Sequence, residues 1–234
     1  MNIRCVGSGS KGNAYLVDDG STTLLLECGV RFKKIQESCG FKTSNISACL
    51  VTHEHQDHCK CIREVMSRGI EVIATKGTYN ALNIDVLHTP FASIIDCDDR
   101  VGIMIGTFRI FAFQTEHDAT EPCGYLINSY VTGEQLLYLT DSYYCRYIFP
   151  GLTDIMIECN YDDHTFDRSE DSTSLKKRVI KSHMSLNNCI DFLKANDLSF
   201  VDCIHLIHLS DRNSDESRMK RKVAEATGKR VIVF

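Results

Sequence analysis

Four residues with metal-binding side chains stand within six positions in Thr52-His53-Glu54-His55-Gln56-Asp57-His58, directly after the apolar run Ala48-Cys49-Leu50-Val51. His53 and His55 are two apart, so extended backbone points both rings the same way and lets them share one ion. Asp57 and His58 follow at once and can reach a second ion. Imidazole nitrogen and carboxylate oxygen suit zinc, with manganese or iron as alternatives. Further donors stand where apolar runs give way to polar loops: His117 after Phe113-Gln114-Thr115-Glu116, Asp141 after Leu137-Tyr138-Leu139-Thr140, and His208 after Ile204-His205-Leu206-Ile207. Two divalent cations sharing a hydroxide is the chemistry such a set supports.

The other candidates are weaker. His205 is three before His208 on one expected strand, faces the opposite side and reads as structural. His88 and His164 read as loop residues. Cys59 and Cys61 flank the motif, but nitrogen and oxygen donors already satisfy the ions, so both are expected to stay thiols.

The elements that must hold these residues follow from periodicity. Strands are expected over 2–6, 14–18, 23–28, 48–52 and 71–74, and helices over 31–38, 59–68 and 77–82. A strand-rich stretch follows, with strands over 108–114, 125–130, 135–139 and 154–158. The remainder alternates: helices 169–180 and 186–196, strand 203–208, helix 214–227 and strand 230–234. Two strand-rich blocks, each followed by helices, predict an α/β chain. With no linker, repeat or low-complexity tract and only three prolines, residues 1–234 are expected to form a single domain.

The 234 residues are 43% hydrophobic and 24% charged, which excludes intrinsic disorder. No stretch approaches 18 uncharged apolar residues and no secretory pattern opens the chain, so a cytoplasmic, non-membrane protein is expected. Twelve scattered cysteines are then expected as thiols, mostly as small buried hydrophobes. The net charge of −5 is uneven: residues 1–167 carry 13 basic and 22 acidic side chains, residues 168–234 carry 13 and 9. Contact with a polyanion is therefore expected in the C-terminal third, around Lys176-Lys177-Arg178 and Arg218 to Lys222, if those residues are more than a solvated face.

The chain resembles the metallo-β-lactamase-fold hydrolases, most of all their YycJ/WalJ-like branch, with ribonuclease Z more distant. Carrying the resemblance are the histidine motif, Gly7-Ser8-Gly9-Ser10-Lys11-Gly12-Asn13, His117-Asp118-Ala119, Pro122-Cys123-Gly124-Tyr125, Leu139-Thr140-Asp141, Glu158-Cys159-Asn160, Ser182-His183-Met184-Ser185 and Ile207-His208-Leu209-Ser210. The resemblance implies a four-layer αββα sandwich. It implies one ion on His53, His55 and His117, a second on Asp57, His58 and His208, and Asp141 bridging both. Zinc is the expected metal in both places, with manganese the alternative. His183 is implied near the reacting group with Glu158 orienting it, Asp57 takes part in catalysis, and Ser8, Ser10, Asn13 and Asn160 are implied at the substrate. Where the family has Asp-x-Gly, this chain reads Glu27-Cys28-Gly29; Glu27 is expected to brace the histidine loop from behind the ligands.

The implied reaction is phosphodiester hydrolysis by a hydroxide shared between the metals, with nucleic acid as substrate and exonucleolytic cleavage of DNA as the branch's activity. Only 41 residues separate Asp141 from His183, too few for a large inserted nuclease domain. A compact acidic chain also suits a small anion, so a cyclic-nucleotide phosphodiesterase like the phage anti-Pycsar enzymes is the main alternative. Ester, thioester or lactone hydrolysis and a non-catalytic, metal-stabilised regulator are the others. The resemblance also allows a homodimer.

Overall fold

The computed structural model describes residues 1–167 and 172–234. Its backbone contacts gather into two compact units: Met1–Gln114 with Ala119–Glu134, and Thr115–Asp118 with Gln135–Phe234.

In the first unit, β1 (Asn2–Gly7), β2 (Ala14–Asp18), β3 (Thr23–Leu26), β4 (Ile46–Leu50), β5 (Glu71–Ala74) and β6 (Ala92–Ile94) lie side by side in chain order. The first two pairings are antiparallel and the last three parallel. Leu24, Leu25, Leu26, Ala48, Cys49 and Leu50 are all fully buried, as inner strands covered on both faces must be. Helices α1 (Phe32–Ser38), α3 (Ile62–Ser67) and α4 (Lys76–Ala81) set Phe32, Ile35, Ile62, Val65 and Tyr79 into one core with Leu16, Leu25, Cys49 and Val72. Each large apolar side chain so buried contributes about 1.5–3 kcal/mol. An antiparallel trio, β7 (Ile103–Ile105), β8 (Phe108–Gln114) and β9 (Cys123–Ser129), completes the unit.

The second unit places β10 (Gln135–Leu139), β11 (Asp154–Glu158), β12 (Cys203–Ile207) and β13 (Arg230–Val233) in parallel, in that order. Their connections carry α5 (Asp163–Asp167), α6 (Thr173–Ser182), α7 (Leu186–Ala195) and α8 (Glu216–Thr227). Ser185 caps α7 by accepting from the Asn188 amide, Asp215 caps α8 by accepting from Arg218, and Gly228 ends α8 in the left-handed conformation at φ 68°. Parallel strands bring their carboxyl ends to one edge. Asp141 follows β10, Glu158 ends β11 and His208 follows β12.

Several expectations change. The single helix expected over 59–68 is two pieces, α2 (Gln56–Cys59) and α3, because Asp57 and His58 already lie in a helical turn. The three-residue strands β6 and β7 are too short to leave a period in the sequence. The helix expected over 169–180 is described over Thr173–Ser182; residues 169–171 of that expectation lie outside the described residues. His164 is exposed as expected, but on α5 rather than in a loop. Nine of the twelve cysteines are buried. Among the described residues, no helix is long and apolar enough to cross a membrane.

Candidate metal centre

The first unit carries the histidine motif on a loop held from behind by one carboxylate. Glu27 is fully buried, with its backbone in the left-handed region at φ 62°. Thr52 Oγ1 donates to Glu27 Oε1 at 2.7 Å and the Thr52 amide donates to Oε2 at 3.2 Å. With the Thr52 hydroxyl proton directed at Glu27, His53 Nδ1 donates to Thr52 Oγ1 at 2.9 Å. The relay fixes the His53 tautomer and puts the lone pair of the ring on Nε2. That Nε2 lies 3.1 Å from His55 Nδ1, so the two rings converge on one point.

His58, fully buried on α2, has Nδ1 3.4 Å from Glu27 Oε1 and Nε2 3.6 Å from Asp57 Oδ2. Its ring centroid is 4.2 Å from that of His53. Glu27 thus reaches both the His53 relay and His58. A glycine makes this possible: a Cβ on Gly29 would sit 1.6 Å from the Asp57 carbonyl oxygen, so only glycine lets the strand end pass beneath α2.

The glycine-rich turn braces this loop too. The Asn13 side chain accepts from the Gly9 amide at 2.9 Å, donates to the Asp57 carbonyl at 3.2 Å and stands 3.2 Å from His58 Nε2. Asn13, expected at the substrate, is fully buried and ties the turn to the helix that carries Asp57 and His58. Ser8 accepts from the Tyr15 hydroxyl at 2.8 Å, and Ser10 is exposed on the turn.

The second unit carries the remaining candidates. Asp141 and His208 are both nearly buried and both left-handed, at φ 42° and 55°. Such backbone costs a non-glycine residue about 1–3 kcal/mol and persists only where its surroundings impose it. Asp141 Oδ2 lies 3.4 Å from His117 Nε2 and Oδ1 lies 3.4 Å from His208 Nδ1, so the carboxylate stands between two histidines. His117 Nδ1 donates to the Ser182 carbonyl at 2.7 Å, which leaves Nε2 turned to Asp141. Burial holds the His117 pKa below the usual range against the pull of Asp141, so the ring is neutral and able to bind a cation.

Glu158 organises the rest from full burial. Its Oε2 accepts from the Ser142 and Met184 amides at 3.0 and 3.1 Å. Its Oε1 lies 2.7 Å from His183 Nδ1 and 3.1 Å from His208 Nδ1. Burial opposes ionisation of Glu158, yet the charge of His183 and these hydrogen bonds hold its pKa below the ordinary value. Burial likewise presses the His183 pKa down, but the Glu158 carboxylate outweighs it and the net shift is upward. The His183 side chain is 20% exposed, more open than His117 or His208. Asn160 donates to the His208 carbonyl at 2.9 Å, so this residue, expected at the substrate, positions a histidine. Asp141, Glu158, His183 and His208 each bring a donor atom within 4.8 Å of the others.

The weaker candidates stay outside. His205 is buried on β12, stacks on Phe234 with ring centroids 5.0 Å apart and lies 3.9 Å from Asp154. His88 is exposed and 2.7 Å from Asp85. Burial pushes the Cys59 thiol up to about 12. A hydrogen bond with Cys28, with burial added, pushes the Cys61 thiol up as well, so neither is a ready thiolate. Much of the basic C-terminal charge is tied locally: Arg178 to Asp118, Arg218 to Asp162, and Arg221 and Lys222 to Glu225.

The chain is similar to known proteins in sequence and in fold. The beta-lactamase superfamily domain matches residues 22–206. An exodeoxyribonuclease YycJ of Bacillus anthracis is 24% identical, the match covering 96% of this chain and 88% of the relative. An exodeoxyribonuclease WalJ of Streptococcus pneumoniae is 24% identical over 89% of this chain and 81% of its own. Among solved structures, the metallo-β-lactamase fold protein YhfI of Bacillus subtilis superposes with a TM-score of 0.75 at 16% identity, covering 99% of this chain and 95% of that one. The short form of human tRNase Z gives 0.66 at 15% identity over 100% and 96%. Yeast PDE1 gives 0.70 at 10% identity over 99% and 96%. At these identities the structural likenesses establish the fold, and with it the expected α/β class.

Proposed function

Because the chain belongs to the beta-lactamase superfamily and has the metallo-β-lactamase fold, we propose that it is a metal-dependent phosphodiesterase acting on nucleic acid, an exonuclease on DNA as its relatives are named. In this reading His53, His55, Asp57, His58, His117, Asp141 and His208 would hold two divalent cations, zinc or in its place manganese.

The donor chemistry supports this fit: His53 and His117 each have Nδ1 engaged by a neighbouring oxygen and Nε2 turned to a second candidate donor, His55 Nδ1 at 3.1 Å and Asp141 Oδ2 at 3.4 Å. The cations, when bound, supply a nucleophile at neutral pH and neutralise the charge gathering on the phosphoryl oxygens. The chain's own residues do the rest. Glu27 and Asn13 keep the motif loop in place, and Asn160 and Glu158 fix His208.

The observation that carries the choice of phosphodiester chemistry is the pair His183 and Glu158. A partly open imidazole, 2.7 Å from a buried carboxylate and with its pKa raised, is placed to hold a proton at Nε2 and give it to a leaving alkoxide. Esters and thioesters with good leaving groups need no such donor.

The test follows cleavage of end-labelled single- and double-stranded DNA and RNA beside a panel of cyclic nucleotides, using metal-loaded protein and Asp141→Ala as the blank. Stepwise shortening of a DNA end by the wild type alone is expected. Turnover of cyclic nucleotides with intact polymers overturns the polymer reading in favour of a signal-degrading phosphodiesterase. Hydrolysis of esters only overturns phosphodiester chemistry altogether.

A further inference from the structure

Two aromatic rings beside the metal centre have no part in the chemistry above. The segment after Asp141 reads Ser142-Tyr143-Tyr144. Tyr143 is 39% and Tyr144 is 52% exposed, whereas Tyr15, Tyr79, Tyr125 and Tyr138 are fully buried. An exposed ring on a loose loop would call for no explanation, but this backbone is fixed. The Tyr143 amide donates to the Glu116 carbonyl at 3.2 Å, and the Asn188 side chain donates to the Tyr143 carbonyl at 2.9 Å. Ser142 Oγ donates to the Tyr144 carbonyl at 2.6 Å and accepts from the Glu116 amide at 2.9 Å. Glu116 adjoins His117, and the Ser142 amide is bound to Glu158, so the hydrogen bonds that hold the metal candidates also hold the backbone that carries the two rings. A chain advances at most about 3.5 Å per residue, which keeps Tyr143 within about 7 Å and Tyr144 within about 11 Å of Asp141, measured between α-carbons.

We propose that Tyr143 and Tyr144 form a stacking platform for the nucleobase next to the scissile phosphate. The inference rests on the phosphodiesterase reading and narrows it to substrates that carry bases. Tyrosine side chains have only two rotatable bonds and, on a fixed backbone, give up little conformational entropy on binding; every base has a face to offer them, so the platform serves many sequences. Lys181, exposed in the last turn of α6 two residues before His183, adds a positive charge for the backbone of the same strand. Stacking also requires an unpaired base, so a single-stranded or frayed end is the preferred substrate.

The test compares an oligodeoxynucleotide with the same strand carrying abasic residues at the cleaved end, in metal-loaded wild type, Tyr143→Ala, Tyr144→Ala and the two Tyr→Phe variants. The wild type is expected to prefer the base-bearing end in kcat/KM. Alanine at either position should cut that preference by roughly 5- to 150-fold, with phenylalanine retaining it. Binding of both strands by fluorescence anisotropy is measured in parallel, without turnover. Alanine variants that keep the wild-type preference in both readouts overturn the platform. A wild type that binds the base-bearing strand selectively yet cleaves neither supports the platform and overturns the hydrolytic reading instead.

Discussion

Replacing Glu158 by glutamine keeps the shape of the side chain and changes one oxygen into a donor. The two backbone amides of Ser142 and Met184 cannot turn away, so the glutamine carbonyl must face them. Its NH2 then faces His183 Nδ1 and His208 Nδ1, which stood 2.7 and 3.1 Å from the carboxylate. Both rings must either lose a partner or shift their proton to Nε2. The first outcome costs about 1–3 kcal/mol per orphaned group, and at about 2–4 °C per kcal/mol for a chain of this size it is read directly as a lower Tm. The second removes the Nε2 lone pair of His208 and the doubly protonated form of His183. Either way, activity on DNA should fall about 10- to 100-fold or more, with metal content reduced. The pH profile supplies the sign. The His183 pKa is raised, so its proton is present below that value and lost as pH rises through it. Without the carboxylate's charge the alkaline limb should move to lower pH. A Glu158→Gln protein with wild-type kcat/KM, metal content and alkaline limb would refute the role given to this carboxylate.

The remaining predictions concern other parts of the scaffold. His183→Ala should keep its metal, measured by elemental analysis, while slowing phosphodiester cleavage by roughly 10²-fold; full cleavage would remove it as proton donor. Asp141→Ala should lose both activity and metal, and retention of both ions at full rate would end its place as the shared ligand. Gly29→Ala forces a Cβ to within 1.6 Å of the Asp57 carbonyl, so loss of metal binding with a cooperative drop in Tm is expected, and an unchanged protein would refute the close approach. Asp19 titrates as a structural group: burial works against its charge, but hydrogen bonds from Thr107, Thr22, Ser129 and Ser21 hold its pKa below the ordinary value. Its contribution is therefore complete above about pH 4 and lost as the pH falls through the depressed value. Acid unfolding of Asp19→Asn, followed by circular dichroism, should show less pH dependence in that window than the wild type.

The ligand-type residues were legible because the chemistry dictates both residue type and spacing, and because Asp141 and His208 each follow an apolar run. Long inner strands were equally plain, since buried parallel strands read as unbroken apolar runs. What holds the donors was not. Asn13 and Asn160 look like exposed polar residues of a turn and a loop, and only the fold shows their amides directed inward at Asp57 and His208. The turn at Gln56–Cys59 escaped because four residues carry no helical period. Nothing in the letters separates Tyr143 and Tyr144 from Tyr125 and Tyr138, because exposure depends on which neighbours the chain brings over each ring.

The left-handed backbones of Glu27, Asp141 and His208 bear on how this protein can be improved. Glycine at any of them would relax the main chain, and asparagine, which visits this conformation more readily than most residues, would do so in part. Glu27 is held in place by the Thr52 amide and hydroxyl it accepts from, but a library sorted for heat resistance alone would be drawn to Asp141 and His208 and away from the proposed metal donors. Selection for robustness here has to be coupled to a readout of metal content, because two of the proposed donors stand where the backbone would rest more comfortably as glycine.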